Sequence, residues 1–325
     1  MRLAHLHIPG ITSFTTVSKI QQSLALGHLA HKKAISLPST KQSVLHSSIS
    51  PSPAANSPPN TPPDPAIITF TPNPVYTTGR RDLPPSNTSS PFDPQPSGEL
   101  SLPPSLEPIR SLLAGDANHQ PVAEYHPTLR GGQTTYHGPG QLVAYTILDL
   151  RRLGLSPRCH IRLLENSVID VLAEYGVRGF VTEDPGVWVG SDNTNNKGNN
   201  NDNNNKDTST AKKITAVGVH LRRHISSYGI GLNVTQEPMW FFKQIVACGL
   251  EGREATSLEG QGVQPAKLQM DDVANKFVSA FVNRLRTDFA AEGREGVDEV
   301  YKIGLEDLIA LEKESGSTYT DQLSS

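Results

Sequence analysis

At 325 residues and a formal net charge of −3, the chain offers no electrostatic case for nucleic acid or an anionic membrane surface. No stretch approaches the ~20 apolar residues of a membrane span. Two cysteines, Cys159 and Cys248, are too few for a disulfide framework and fit a reducing compartment, and the 11 histidines show no paired ligand spacing, so no metal is expected.

The first 63 residues contain no Asp or Glu, while Arg2, Lys19, Lys32, Lys33 and Lys41 sit among many Ser and Thr. That composition fits a mitochondrial presequence. The same residues also read as structure: 3–9 as a short strand, then Ser13 capping a helix whose Val17, Ile20 and Leu24 share one face. Residues 42–65 carry seven prolines, 82–105 are again rich in Pro and Ser, and 191–205 hold nine asparagines. Such compositions bury too little apolar surface to offset the entropy of ordering them. Insertions are therefore expected near 39–65, 82–105 and 191–211, leaving roughly 230–250 residues, a usual size for one domain.

Between the insertions, 66–71 and 142–150 read as strands, with a shorter one at 122–125. Residues 157–175 read as a helix, since Ile161, Leu164, Val168, Leu172 and Tyr175 recur at three- and four-residue spacing. Residues 186–190 and 213–221 flank the Asn-rich run and fit an antiparallel hairpin with an expanded tip, where loop closure costs little. A strand at 230–234 and a Pro-opened helix at 238–246 lead to Cys248. Asp271 or Asp272 would cap a last helix with Val273, Phe277, Phe281, Leu285 and Phe289 on one face, and the tail beyond Gly304 is polar. Helices alternate irregularly with antiparallel-looking strands, which predicts an α+β domain: a mixed sheet with helices packed on one side.

The most unusual stretch is Arg130-Gly-Gly-Gln-Thr-Thr-Tyr-His-Gly-Pro-Gly-Gln141. Its glycines let backbone run close against a ligand, while Arg130, Gln133, Tyr136 and His137 supply polar groups and a flat ring. It matches neither the dinucleotide fingerprint nor the phosphate loop. It resembles the signature of the lipoyl(octanoyl) transferases, which start protein lipoylation. The resemblance continues in order through Lys213-Ile-Thr-Ala-Val-Gly218, Tyr228-Gly-Ile-Gly-Leu-Asn233 and Ala247-Cys-Gly-Leu250.

The resemblance implies the fold shared with biotin and lipoate ligases, and one catalytic domain over 1–304 with a peripheral tail at 305–325. In that family a strand and helix open the domain, which favours a structural N-terminus that also serves as an uncleaved mitochondrial signal. The implied acyl-binding residues are Arg130, Gly131, Gly132, Gln133, Thr134, Thr135, Tyr136 and His137, then Ala216, Val217, Gly218, Gly229, Ile230 and Gly231. Cys248 matches the acyl-carrying cysteine, although Ala247 stands where the family usually has Pro, and Gly231 where Ala is commoner.

An ordinary thiol is only a few per cent ionised at neutral pH, so a nucleophilic cysteine needs a cation beside it. The resemblance assigns that part to Lys213, which would favour the thiolate and transfer protons. Only one of Lys212 and Lys213 can face the site, because successive strand residues point to opposite faces. Cys159 reads as a packing residue. The implied activity moves an octanoyl group from octanoyl-loaded acyl carrier protein, through Cys248, to a lysine of lipoyl domains. Those domains belong to the 2-oxoacid dehydrogenase complexes and the glycine cleavage H protein, and no cofactor is implied. Two rivals stay open: an ATP-dependent lipoate–protein ligase on the same fold, and a non-catalytic binder of lipoyl domains or acyl carriers.

Overall fold

A computed structural model describes residues 1–36, 61–82, 100–115, 119–190, 211–249, 252–289 and 295–306. The Asn-rich run, the centres of both Pro/Ser segments and nearly all of the tail lie outside the described residues.

Strand β1 (Arg2–Thr12) leads into helix α1 (Phe14–Ser36). Ser13 stands at the junction, with the Thr16 N–H 3.4 Å from its Oγ and the Phe14 N–H donating to Asn73 Oδ1 at 2.9 Å. Strands β2 (Ala66–Pro72) and β3 (Val75–Thr78) follow, then the short helix α2 (Arg110–Ala114) and strands β4 (Glu124–Pro127), β5 (Thr135–His137) and β6 (Gln141–Ile147). Helix α3 (Pro157–Glu174) opens on Ser156, whose Oγ accepts from the Cys159 N–H at 3.1 Å. Strands β7 (Gly179–Phe180), β8 (Gly186–Val189), β9 (Lys212–Arg222) and β10 (Ile225–Asn233) run on to helix α4 (Pro238–Phe242). Helix α5 (Met270–Thr287) and strand β11 (Glu299–Ile303) complete the described chain.

Eight strands form one mixed sheet in the order β11-β1-β2-β6-β10-β9-β8-β7, and β4-β3-β5 form a second, smaller one. Pairing of β1 with β2 and β11 is parallel, and the pairs from β2 through β7 are antiparallel. The hairpin expected across the Asn-rich run is the β8–β9 pair, with Val189 opposite Lys212.

The two faces of the large sheet follow strand alternation. Ile67, Leu142 and Ala144 point into a core with Leu163, Leu164, Val168 and Leu172 of α3 and Phe277 and Phe281 of α5. Ile68, Phe70, Val143, Tyr145 and Ile147 point the other way, against Phe14 and Val17 of α1. Helices therefore cover both faces, not the one side expected. The reason is physical: β2 and β6 are buried at every position and carry large apolar side chains on both faces, so both faces need cover. Truncating Phe277 or Phe281 to Ala should cost ~3–5 kcal/mol, the usual price of a large buried cavity.

Two expected boundaries move. Asp271 and Asp272 lie inside the first turn of α5, with Gln269 as the N-cap, so they favour the helix through its dipole and not as caps. The helix expected at 238–246 stops at Phe242. The described ends of the Pro/Ser segments, 61–65 and 100–105, are hydrogen-bonded into the domain. The Pro65 carbonyl accepts from the Ala4 N–H at 2.9 Å, Pro63 from Arg152 at 3.0 Å, and Leu100 from Arg110 at 2.8 Å.

His5, His28, His137 and His160 are buried, and burial is the main cause that pulls each from 6.5 to about 4. Each folded value lies below the unfolded one, so these rings stay neutral when folded and gain protons on unfolding. Their contribution is fully present above pH 6.5 and is lost as pH falls towards about 4. The melting temperature, followed by circular dichroism, should drop progressively across that window. A flat profile there would mean that these rings are solvated.

Candidate active site

The Gly-rich stretch begins at Arg130, a buried cation that is 7% exposed. Its Nη2 donates to the Thr77 carbonyl and to Thr77 Oγ1, both at 2.9 Å, and its Nη1 to the Gly131 carbonyl at 3.1 Å. Burial holds the guanidinium below its ordinary pKa, opposed first by the charge of Cys248 and then by Tyr145, Tyr228 and Asp82. Arg130 thus pins the loop to β3 and adds positive charge beside Cys248. Gly218 opposite is tight against it: a Cβ there would stand 3.1 Å from Arg130 Cδ.

Beyond Arg130 the chain enters β5, where alternation separates the motif's side chains. Thr135 and His137 face a cavity of about 280 Å³, near the lower end of the ~300–1,000 Å³ usual for ligand pockets. Tyr136 faces away. It lies parallel to Phe241 of α4, with ring centroids 4.3 Å apart and planes at 5°, and edge-on to Phe242 at 5.8 Å. The Tyr76 hydroxyl donates to the Phe241 carbonyl at 2.9 Å. This aromatic stack fixes α4, and α4 delivers the loop that carries Cys248.

That loop is the short turn Ala247–Gly249, in which Cys248 adopts φ 57°, a left-handed conformation that costs a non-glycine residue roughly 1–3 kcal/mol unless its surroundings impose it. Here they do. The Cys248 N–H donates to the Thr134 carbonyl at 2.8 Å. Thr134 in turn gives its N–H and Oγ1–H to Asp82 Oδ2, each at 2.7 Å. Gly249 follows at φ 67°, and a Cβ there would collide with Gln133 Oε1. Cys248 itself is half-buried, its Sγ 4.0 Å from Thr135 Oγ1.

Lys213 reaches the same cavity from β9. Its Nζ donates to the Pro185 carbonyl at 3.1 Å and lies 4.7 Å from the centre of the Trp188 ring. Lys212 points outward to Glu254, 2.7 Å away. A register shift between Val187 and Trp188 is what lets Lys213 share a wall with Ala216 and Gly218, since unbroken alternation would put Lys213 and Ala216 on opposite faces. Buried Glu165 of α3 accepts from the Gly186 N–H at 3.0 Å and so holds the turn that carries Pro185.

Of the residues singled out from the sequence, Arg130, Gly131, Gly132, Gln133, Thr135, His137, Ala216, Val217, Gly218, Gly229, Ile230, Gly231, Lys213 and Cys248 line this cavity together. Thr134 and Tyr136 do not. Thr134 holds the Cys248 loop and Tyr136 holds α4. Sequence reasoning missed Glu165, Trp188 and Asn233. Glu165 could have been found as a carboxylate beside the apolar residues of a helix face; the other two carry no local signal.

The sequence profile of the lipoyl protein ligase A/B catalytic domain matches residues 112–282. A probable octanoyltransferase of Schizosaccharomyces pombe is 37% identical over 203 residues, covering 62% of this chain and 70% of that protein. An octanoyltransferase of Solibacter usitatus is 38% identical over 175 residues, covering 53% and 68%. The mitochondrial octanoyl-[acyl-carrier-protein]:protein N-octanoyltransferase of Danio rerio is 31% identical, covering 58% and 77%. Among solved structures, a bipartite lipoate protein ligase of Thermoplasma acidophilum is similar over 97% of this chain and 91% of its own, at 15% identity and a TM-score of 0.46.

Among the described residues the Tyr136 hydroxyl is buried without a partner, a situation that costs roughly 1–3 kcal/mol. Tyr136→Phe should therefore leave the melting temperature unchanged or raised, and leave turnover within about twofold. A loss of turnover without a loss of stability would return Tyr136 to the substrate.

Proposed function

The chain belongs to the lipoyl protein ligase A/B catalytic-domain family, and we propose that it is an octanoyltransferase working through a thioester on Cys248. The observation that carries this reading is the meeting of Cys248 and Lys213, 35 positions apart, on one small cavity whose walls are the Gly-rich loop, β9 and β10. An amide is more stable than a thioester, so transfer from one to the other needs no nucleotide.

In the first half-reaction the Cys248 thiolate attacks the carbonyl carbon of octanoyl-acyl carrier protein. The bond to the carrier's sulfur breaks, its electron pair leaves with that sulfur, and the Lys213 ammonium supplies the proton. In the second, the neutral ε-amine of a lipoyl-domain lysine attacks the Cys248 thioester. The carbon–sulfur bond breaks, the electron pair returns to Cys248 as thiolate, and Lys213 takes the amine proton back. Both steps develop an oxyanion. The Cys248 N–H is engaged by Thr134 and the Gly131 N–H by Val219, so other donors must serve.

The carbonyl of Pro185 and the Trp188 face are suited to hold a cation, which supports Lys213 as an ammonium in the resting state. Small residues at 216, 218, 229 and 231 leave width for an acyl chain, with Phe14, Tyr145, Val217 and Ile230 as its apolar contacts. The acceptors on this reading are the lipoyl domains of 2-oxoacid dehydrogenase complexes and the glycine cleavage H protein, and the compartment is the mitochondrion. The acid-free N-terminal composition and the mitochondrial relative of Danio rerio support that location. On this reading residues 1–304 act as one catalytic domain.

Iodoacetamide alkylation of Cys248 tests the cation. Lys213→Met should slow it at neutral pH by roughly tenfold, the change in thiolate fraction for one pKa unit, and match the unmodified protein at high pH. Lys212→Met should alkylate normally. Equal rates in all three proteins would remove Lys213 from the mechanism.

A further inference from the structure

The His137 ring ends a hydrogen-bond chain that starts on the main chain and has only one possible polarity. The Thr256 carbonyl can only accept, so Asn233 Nδ2 donates to it at 2.8 Å. Asn233 Oδ1 then accepts from Gln141 Nε2 at 2.7 Å, and Gln141 Oε1 accepts from His137 Nδ1 at 2.6 Å. A neutral imidazole carries a single N–H, so with Nδ1 donating, Nε2 keeps its lone pair.

The whole relay is buried: Gln141 is 1% exposed, Asn233 3% and His137 6%. It packs directly against β10, where a Cβ at Gly231 would stand 3.0 Å from both His137 Nδ1 and Gln141 Oε1. Burial, and then the Arg130 guanidinium nearby, disfavours a positive charge on the ring. His137 nevertheless lines the cavity shared with Cys248 and Lys213. The relay takes up Nδ1, which leaves Nε2 as the ring nitrogen available to a group in that cavity. The structure thus builds a fixed hydrogen-bond acceptor into the cavity wall.

The reacting groups decide what this acceptor is for. An acyl chain and a thioester bring no N–H or O–H. The amine of the second half-reaction does, and it must also hold its own lone pair towards the thioester carbon. We propose that His137 Nε2 accepts a hydrogen bond from the incoming lysine ε-amine, and that Gln141 and Asn233 are positioning residues that lock the acceptor tautomer. Lys213 still takes the proton, and His137 orients the nucleophile while the carbon–nitrogen bond forms and the carbon–sulfur bond breaks. The proposal rests on the reading of Cys248 as acyl carrier.

The test separates the half-reactions. Acyl-enzyme formation is followed as carrier thiol released from octanoyl-acyl carrier protein, and transfer as octanoyl-lipoyl domain formed from preloaded enzyme. In His137→Ala and Gln141→Leu, transfer at saturating lipoyl domain should fall at least tenfold further than acyl-enzyme formation does, the worth of one well-placed hydrogen bond. Nitrogen NMR of histidine-labelled, unmodified protein should show His137 with Nδ1 protonated and Nε2 bare, so a variant that fails to fold leaves the idea testable. An Nε2–H tautomer would overturn it. So would equal losses in both half-reactions, which mean a structural role, or a loss confined to formation, which would make His137 a partner of Cys248. If unmodified protein forms no acyl-enzyme, the thioester reading fails instead; if it does and both variants transfer normally, only this proposal fails.

Discussion

One main-chain hydrogen bond, from the Cys248 N–H to the Thr134 carbonyl, joins the two parts of the chain on which the site depends. It ties the turn carrying Cys248 to the Gly-rich loop and imposes a left-handed backbone on a residue that would not choose it. Everything behind Thr134 serves to keep that carbonyl still. Asp82 takes both of its donors, Arg130 clamps the preceding glycine to β3, and the Tyr136–Phe241 stack holds the helix that leads into the turn. Groups that must meet substrate are placed this way by rigid elements, not by the loops alone.

The second organising feature is charge. Arg130 and Lys213 bring two cations to a half-buried thiol, in surroundings where an ionic interaction is stronger than in water. His137, in the same wall, is held neutral by burial and by Arg130. The cavity therefore separates its roles by chemistry. Cations stand where negative charge develops on sulfur and oxygen, and a neutral acceptor stands where a nucleophile must offer a lone pair.

Much of this was legible in the residues themselves. Continuous apolar runs at 66–71 and 142–147 marked the central strands, and the spacing of Val17, Ile20 and Leu24 marked α1. Periodicity says which side of a helix is buried but not which face of a sheet it covers, so the helices were expected together on one side. Strand β11 escaped notice because it is short and half-exposed at the edge of the sheet. Within the Gly-rich motif, sequence could not tell which alternate residues meet the cavity, and Tyr136 turned out to be core. The register shift in β9 and the Gln141–Asn233–Thr256 chain depend on partners far along the sequence, 92 positions apart for Gln141 and Asn233, and leave no local pattern to read.

The central claim is a covalent one: Cys248 carries the acyl group, and no nucleotide is needed to load it. Intact-mass and peptide mass spectrometry of the unmodified protein, after incubation with octanoyl-acyl carrier protein in nucleotide-free buffer, tests it most directly. The account predicts a single octanoyl increment, removed by hydroxylamine and mapped to the peptide that contains Cys248. An unloaded protein that acquires the acyl group only when ATP is added, or an increment that maps to Cys159, would contradict it.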